Sequence, residues 1–295
     1  MSGGLGNQLF NYSAARSLSH RSGTHIVIDA SNYMQQWGEN SPRPLLLDHF
    51  PIKAQFRHLG TVLDSRNFLT RIWRRLTEEV HVERVERING SYNYFSEFND
   101  LGGRVKMGGY FISPKFFSNI EHLIRRELTL PSNYLEIQNC TTGLKYLDEM
   151  SRCRWTVGLH IRRGDYLTYS DPPLHLAGVE QYYLDAMNYI TQKRDDPIFW
   201  VVSNETEWCK KYFSETPHDV RFIESEINLR ETAIRDFFLL SRCHDQIICN
   251  STFSWWAAWL NQQPDKIVIS PSKWDAQERT SIEEMIPKSW TVLRV

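Results

Sequence analysis

At 295 residues, 41% hydrophobic and 23% charged, the chain has material for one large domain or two ordinary ones, which excludes a disordered tail protein, a collagen and a small disulfide scaffold. A net charge of −1 gives no global field for nucleic acid, so an anionic ligand would have to be held by a local cluster. No run approaches the roughly 18 apolar residues of a membrane span, and Met1 leads into Ser-Gly-Gly rather than a basic and then apolar leader, so a soluble, cytoplasmic protein is expected.

In chain order, Gly3-Gly4-Leu5-Gly6 is a glycine turn. Leu9, Tyr12, Ala15 and Leu18 then give helical spacing over Asn7 to Ser22, closed by Gly23. His25 to Asp29 follows as a short strand. The strand that normally opens such an α/β unit would precede Gly3, where only Met1 and Ser2 stand, so the expectation is a chain that starts late. Ser65 to Thr77 predicts a helix with Arg66, Arg71, Arg74 and Arg75 around Trp73; a solvated basic face is the first reading and an anionic membrane patch the second. Met107 to Ser113 predicts a strand, and Pro114 leads into a helix from Lys115 to about Leu128. Polar clusters without a clear strand from Ser132 to Arg154 mark the domain junction.

From Trp155 the pattern becomes regular. Strands are predicted at Trp155–Ile161, Pro197–Ser203, Val220–Ile223, Asp245–Cys249 and Lys266–Ser270. Helices are predicted at Val179–Arg194, Glu205–Phe213, Leu229–Arg242 and Thr252–Asn261. Strands alternating with helices at this spacing make a parallel sheet, and ligands of such sheets bind beyond the carboxyl ends of the strands.

That rule singles out two turns. Arg162-Arg163-Gly164-Asp165 follows the first of these strands. Two arginine forks suit phosphate oxygens, Gly164 allows a sharp turn and Asp165 can pin a guanidinium; a surface ion-pair cluster is the alternative. Asn250-Ser251-Thr252-Phe253-Ser254 opens the helix that contains Trp255, Trp256 and Trp259. A hydroxyl-rich helix N-terminus is both a cap and an anion site. The Gly3–Gly6 turn matches a dinucleotide fingerprint only loosely, lacking its third glycine. No metal-binding motif is found, and the five cysteines form no C-x-x-C pair, which points to a reducing compartment. The ten tryptophans favour a sugar or nucleotide ligand.

Together these stretches resemble the α-1,2-fucosyltransferases. Gly3 to Phe10 is similar to their amino-terminal block, and His160-Ile161-Arg162-Arg163-Gly164-Asp165-Tyr166 reproduces H-x-R-R-G-D-Y. Asp236 through Trp259 resembles the block ending in N-S-[ST]-F-S-W-W, and Trp208-Cys209-Lys210 and Ile269 to Trp274 also fit. The resemblance implies an α/β fold of the GT-B type, with two Rossmann-like domains facing across a cleft. Residues 1–140 would form the acceptor-side domain and 141–295 the GDP-fucose-binding domain, with the last residues packing back on the first. It also implies transfer of fucose from GDP-β-L-fucose, with inversion and without a metal, to the 2-hydroxyl of a terminal galactose.

Within that implication Arg162 grips the β-phosphate, supported by Arg163 and His160, while Asp165 holds an arginine. Asp236 accepts hydrogen bonds from the guanine edge. Ser251, Thr252, Phe253 and Ser254 hold the diphosphate, and Gly4, Gly6 and Asn7 reach the donor from the other side. Ser203-Asn204-Glu205 departs from the S-D-D of many relatives, and Pro172 to Gly178, with His175, resembles an acceptor-side loop only loosely. In a bacterium the expected setting is surface-polysaccharide or O-antigen assembly at the inner face of the membrane, the basic helix resting on anionic lipid. A non-catalytic GDP-sugar or glycan-binding module of the same fold is the alternative, against which the intact phosphate motif speaks.

Overall fold

The computed structural model describes residues 1–33, 43–57, 86–164, 180–224, 229–276 and 278–295. The basic helix expected at 65–77, and Asp165, Tyr166 and the 172–178 loop, lie outside the described residues. The chain divides into two units, Met1–Leu128 and Thr129–Val295.

In the first unit, α1 (Leu5–Ser22) starts at Gly4 and ends where Gly23 turns with φ 67°, a left-handed conformation that favours glycine. It buries Leu9, Phe10, Tyr12, Ala14 and Leu18. β1 (Ile26–Asp29) alternates buried Ile26 and Ile28 with exposed Val27 and Asp29 and pairs in parallel with β2 (Ala54–Arg57). A second parallel pair joins β3 (Glu86–Asn89) to β4 (Val105–Gly108). The strand expected at Met107–Ser113 therefore begins and ends earlier, because Gly109, at φ 78°, bends the chain out of the ladder. The predicted helix after Pro114 is a 3-10 turn over Pro114–Ile120, capped by the Ser113 hydroxyl, followed by α2 (Glu121–Leu128). α2 is tied to α1 by a buried set: Arg16 donates to both oxygens of Glu127, and the Tyr12 hydroxyl donates to Glu127 Oε2 at 2.6 Å.

The second unit opens with two helices where the sequence shows only polar clusters, α3 (Tyr134–Ile137) and α4 (Thr141–Ser151). The division falls after Leu128 rather than at residue 140. The physical reason is that this stretch packs on α7 (Leu229–Arg242): Tyr134 lies 5.7 Å from Phe238, and Arg242 donates to the Leu130 carbonyl.

Its six parallel strands are β5 (Thr156–Ile161), β6 (Ile198–Ser203), β7 (Asp219–Phe222), β8 (Asp245–Ile247), β9 (Val268–Pro271) and β10 (Thr291–Leu293), in the order β10-β9-β8-β5-β6-β7. All six residues of β5 are buried, as expected for a central parallel strand covered on both faces. The last residues form β10, paired in parallel with β9 from Thr291↔Ile269. The order runs outward in one direction from β5 to β7 and in the other from β8 to β10. It reverses between β5 and β8, the place where doubly wound sheets open a crevice for ligands.

Candidate active site

Both arginines lie in the turn that leaves β5 at this reversal, yet their surroundings differ. Ile161 is in register with Ser203 of β6, so the turns after these strands lie side by side. The Arg163 backbone N–H donates to Asn204 Oδ1 at 3.0 Å, and its guanidinium donates to Glu205 Oε2 at 3.1 Å. The same side chain has Glu180, at the start of α5 (Glu180–Thr191), 3.6 Å away, and lies over the Trp208 ring of α6 (Thr206–Tyr212) at 4.6 Å. Two carboxylates and an indole clamp Arg163 to its own framework. The displaced carboxylate of Ser203-Asn204-Glu205 thus has a use: Asn204 fixes the turn and Glu205 the fork. A Cβ at Gly164 would lie 3.0 Å from Asn204 Nδ2 and 3.1 Å from Glu205 Oε1, so a larger residue there would press on both side chains.

His160, one residue from the end of β5, is buried, with its ring 5.2 Å from Phe253 and its Nδ1 3.2 Å from Cys249 Sγ. Cys249 stands where β8 gives way to the turn before α8 (Thr252–Leu260). Burial raises its thiol to about 11, against the lowering influence of the Ser254 hydroxyl, the Arg162 charge and the Arg162 backbone N–H. Through its contacts with His160 and Ser254, this sulfur joins the end of β5 to the turn that opens α8.

The turn itself is tight, with Ser251 N–H donating to the Cys249 carbonyl at 2.7 Å, and it is pinned from β9's side by Asn250 Nδ2 donating to the Trp274 carbonyl. Ser251 caps α8 by accepting from Phe253 N–H, and the Ser254 hydroxyl donates to the Ser251 carbonyl. The first turn of α8 holds no acidic residue, so its positive end is not neutralised from within. Buried Trp255, Trp256 and Trp259 anchor the rest of the helix.

Asp236 lies on α7 beside Phe237, whose ring is 5.5 Å from that of Phe253. Its carboxylate is buried, and Oδ1 accepts two hydrogen bonds from Arg235, which in turn donates to the Glu224 carbonyl. His160, Ser251, Phe253 and Ser254 thus gather around Cys249, with Arg162 following in the turn after β5 and Thr252 at the first position of α8.

Gly4, Gly6 and Asn7 belong to the first unit, at the start of α1. Gly3, at φ 88°, makes the turn, and its carbonyl accepts from Tyr33 Oη and Gln8 Nε2. Gln8, fully buried, also accepts from the N–H groups of Leu46 and Leu47. Sequence reading missed Gln8, Glu180 and Cys249. A polar residue on the apolar side of α1 is the only local signal for Gln8, and the others act through partners distant in sequence. No grouping of three or more His, Cys, Asp or Glu able to hold a metal is found among the described residues.

The α/β fold, with its parallel six-stranded sheet, is of the GT-B type found in glycosyltransferases. A solved structure of an Arabidopsis thaliana FUT1 mutant in complex with GDP shares this fold, with a TM-score of 0.55 at 14% identity over 99% of this chain and 74% of that one. Residues 67–294 match the model of glycosyl transferase family 11, and the chain belongs to that family. Among curated relatives, an Escherichia coli alpha-1,2-colitosyltransferase is 30% identical over 98% of this chain and 96% of its own length. The human galactoside alpha-(1,2)-fucosyltransferase 1 is 35% identical over 53% of this chain and 43% of its own length.

Proposed function

We propose that the chain is an inverting galactoside α-1,2-L-fucosyltransferase. It moves L-fucose from GDP-β-L-fucose to the 2-hydroxyl of a terminal β-galactoside, in surface-polysaccharide or O-antigen synthesis, and requires no metal ion. The observation that carries this reading is that the turn after β5 and the turn that opens α8 come together around Cys249, which touches His160 and Ser254, at the β5/β8 reversal. Cleaving the sugar–phosphate bond leaves positive charge on an oxocarbenium-like sugar and extra negative charge on the diphosphate. The Arg162 guanidinium and the N–H groups opening α8 are the groups that would receive that negative charge. Asp236 would take the guanine edge through the carboxylate that Arg235 orients.

The test is to incubate the protein with GDP-fucose and a β-galactoside in EDTA, following GDP release and fucosylated product. Product in EDTA is the expected result. GDP-fucose binding without product overturns the reading in favour of a non-catalytic module. A second reading has a specific support: the colitosyltransferase relative matches over nearly the whole chain. It keeps the site and changes the donor, so the same assay with GDP-colitose separates the two by the ratio of kcat/KM values. We place the reaction at the inner face of the membrane, with the basic segment 65–77 against anionic lipid. In liposome flotation, an Arg71/Arg74/Arg75→Glu variant should lose the binding of wild type to anionic vesicles, and equal flotation would refute this.

A further inference from the structure

The sulfur of Cys249 occupies the point where the two turns of the site touch. It lies 3.2 Å from His160 Nδ1 and 3.9 Å from Ser254 Oγ, and it faces the backbone N–H of Arg162. Three residues proposed to handle the diphosphate thus share one buried neighbour, itself only 2% exposed. A thiol is a weak donor and a weak acceptor. Burial keeps this one protonated near neutral pH. Its single proton needs an acceptor. Ser254 Oγ lies at 3.9 Å, whereas the stronger acceptor His160 Nδ1 lies at 3.2 Å. The Arg162 N–H can be received by the sulfur's lone pairs at the same time.

We infer that Cys249 is a positioning residue for the donor site: its S–H donates to His160 Nδ1, fixing the imidazole as the neutral Nε2–H form, while its lone pairs receive the Arg162 backbone N–H and set the height of the arginine turn. His160 then serves as a hydrogen-bond donor rather than a base, held edge-on by the thiol and flanked by Phe253 at 5.2 Å. This deepens the reading of the β5 and β8 turns as a diphosphate site and rests on it.

The experiment is nitrogen-15 NMR of histidine-labelled protein, with the His160 signals assigned through His160→Gln, combined with calorimetric titration of GDP. Wild type should show His160 with a bare Nδ1 and a protonated Nε2. Cys249→Ser, whose hydroxyl can still donate, should keep that signature. Cys249→Ala should show mixed tautomers and bind GDP about 2- to 12-fold more weakly, the equivalent of one hydrogen bond. A protonated Nδ1 in wild type, or a Cys249→Ala protein that keeps the wild-type tautomer, overturns the proposal. Unchanged GDP affinity in a Cys249→Ala protein that has lost the tautomer overturns the positioning role. If Cys249→Ala does not fold, the wild-type and Cys249→Ser spectra decide. If wild type binds no GDP, the diphosphate reading fails, and the tautomer is still decided by the spectra.

Discussion

Replacing Arg163 by Ala and, separately, Arg162 by Ala should give opposite signatures, although the two residues are adjacent and chemically identical. The Arg163–Glu205 pair is about one-third exposed on both sides (29% and 32%), so solvent screening limits it to about 0.5–1 kcal/mol. The stacking on Trp208 at 4.6 Å adds about 0.5–1 kcal/mol. Arg163→Ala should therefore cost about 1–2 kcal/mol. In a unit of this size that lowers the melting temperature by about 2 to 8 °C. Arg162 is expected to face the diphosphate instead. Arg162→Ala should melt near wild type and lose about 100- to 1,000-fold in kcat, as for removal of one preorganised charge contact. Arg162→Lys should remain badly impaired, because a point charge does not reproduce a fork. Differential scanning fluorimetry and GDP-release kinetics on the variants decide the matter. An Arg163→Ala protein that melts like wild type but is as inactive as Arg162→Ala would refute the division of roles.

Three further outcomes are expected. Gly158→Ala places a methyl 3.0 Å from Leu240 Cδ2 and 3.2 Å from Cys243 Sγ beneath β5, an overpacking that should cost about 1–3 kcal/mol in denaturant titration; an unchanged midpoint would show that α7 can retreat. With a thiol reagent at pH 8, the half-buried Cys140 and Cys153 should react in the native protein, and buried Cys209, Cys243 and Cys249 only after unfolding; rapid native reaction of more than those two refutes the packing. Burial alone would raise the Asp275 carboxyl, but hydrogen bonds from the N–H groups of Arg279 and Thr280 outweigh it and hold the group below its ordinary value. Its contribution to stability is thus present above about pH 4 and fades as pH falls through the lowered value. Asp275→Asn should flatten the acid limb of melting temperature against pH, and an unaltered limb would refute this.

The strands β5, β6 and β9 are legible in the sequence because strands covered on both faces are predominantly apolar, and β7 and β8 because the glycine, Asn and Asp punctuation around short apolar runs is strong. Their bounds shift by one or two residues where ladder pairing stops before hydrophobicity does, as at Ile248 and Cys249. α4 escapes such reading because it buries little more than Gly143 and Met150. β10 escapes it because Thr291, Val292 and Leu293 are half-buried or exposed, and only pairing with β9 makes them a strand. The site was legible as residue types at strand ends. It was not legible as a division of labour: Arg162 and Arg163 read alike until Glu180, Glu205 and Trp208 arrive from other elements. The Cys249–His160 contact spans 89 positions of chain, which no local pattern encodes.

The reversal of strand order between β5 and β8 also shapes how such a protein can change over time. The connections beyond these strands wind away from each other, so altering one segment sends no covalent disturbance into its counterpart. A lineage can thus alter one of the two turns without rerouting the other, because what joins them is side-chain contact, as at Cys249.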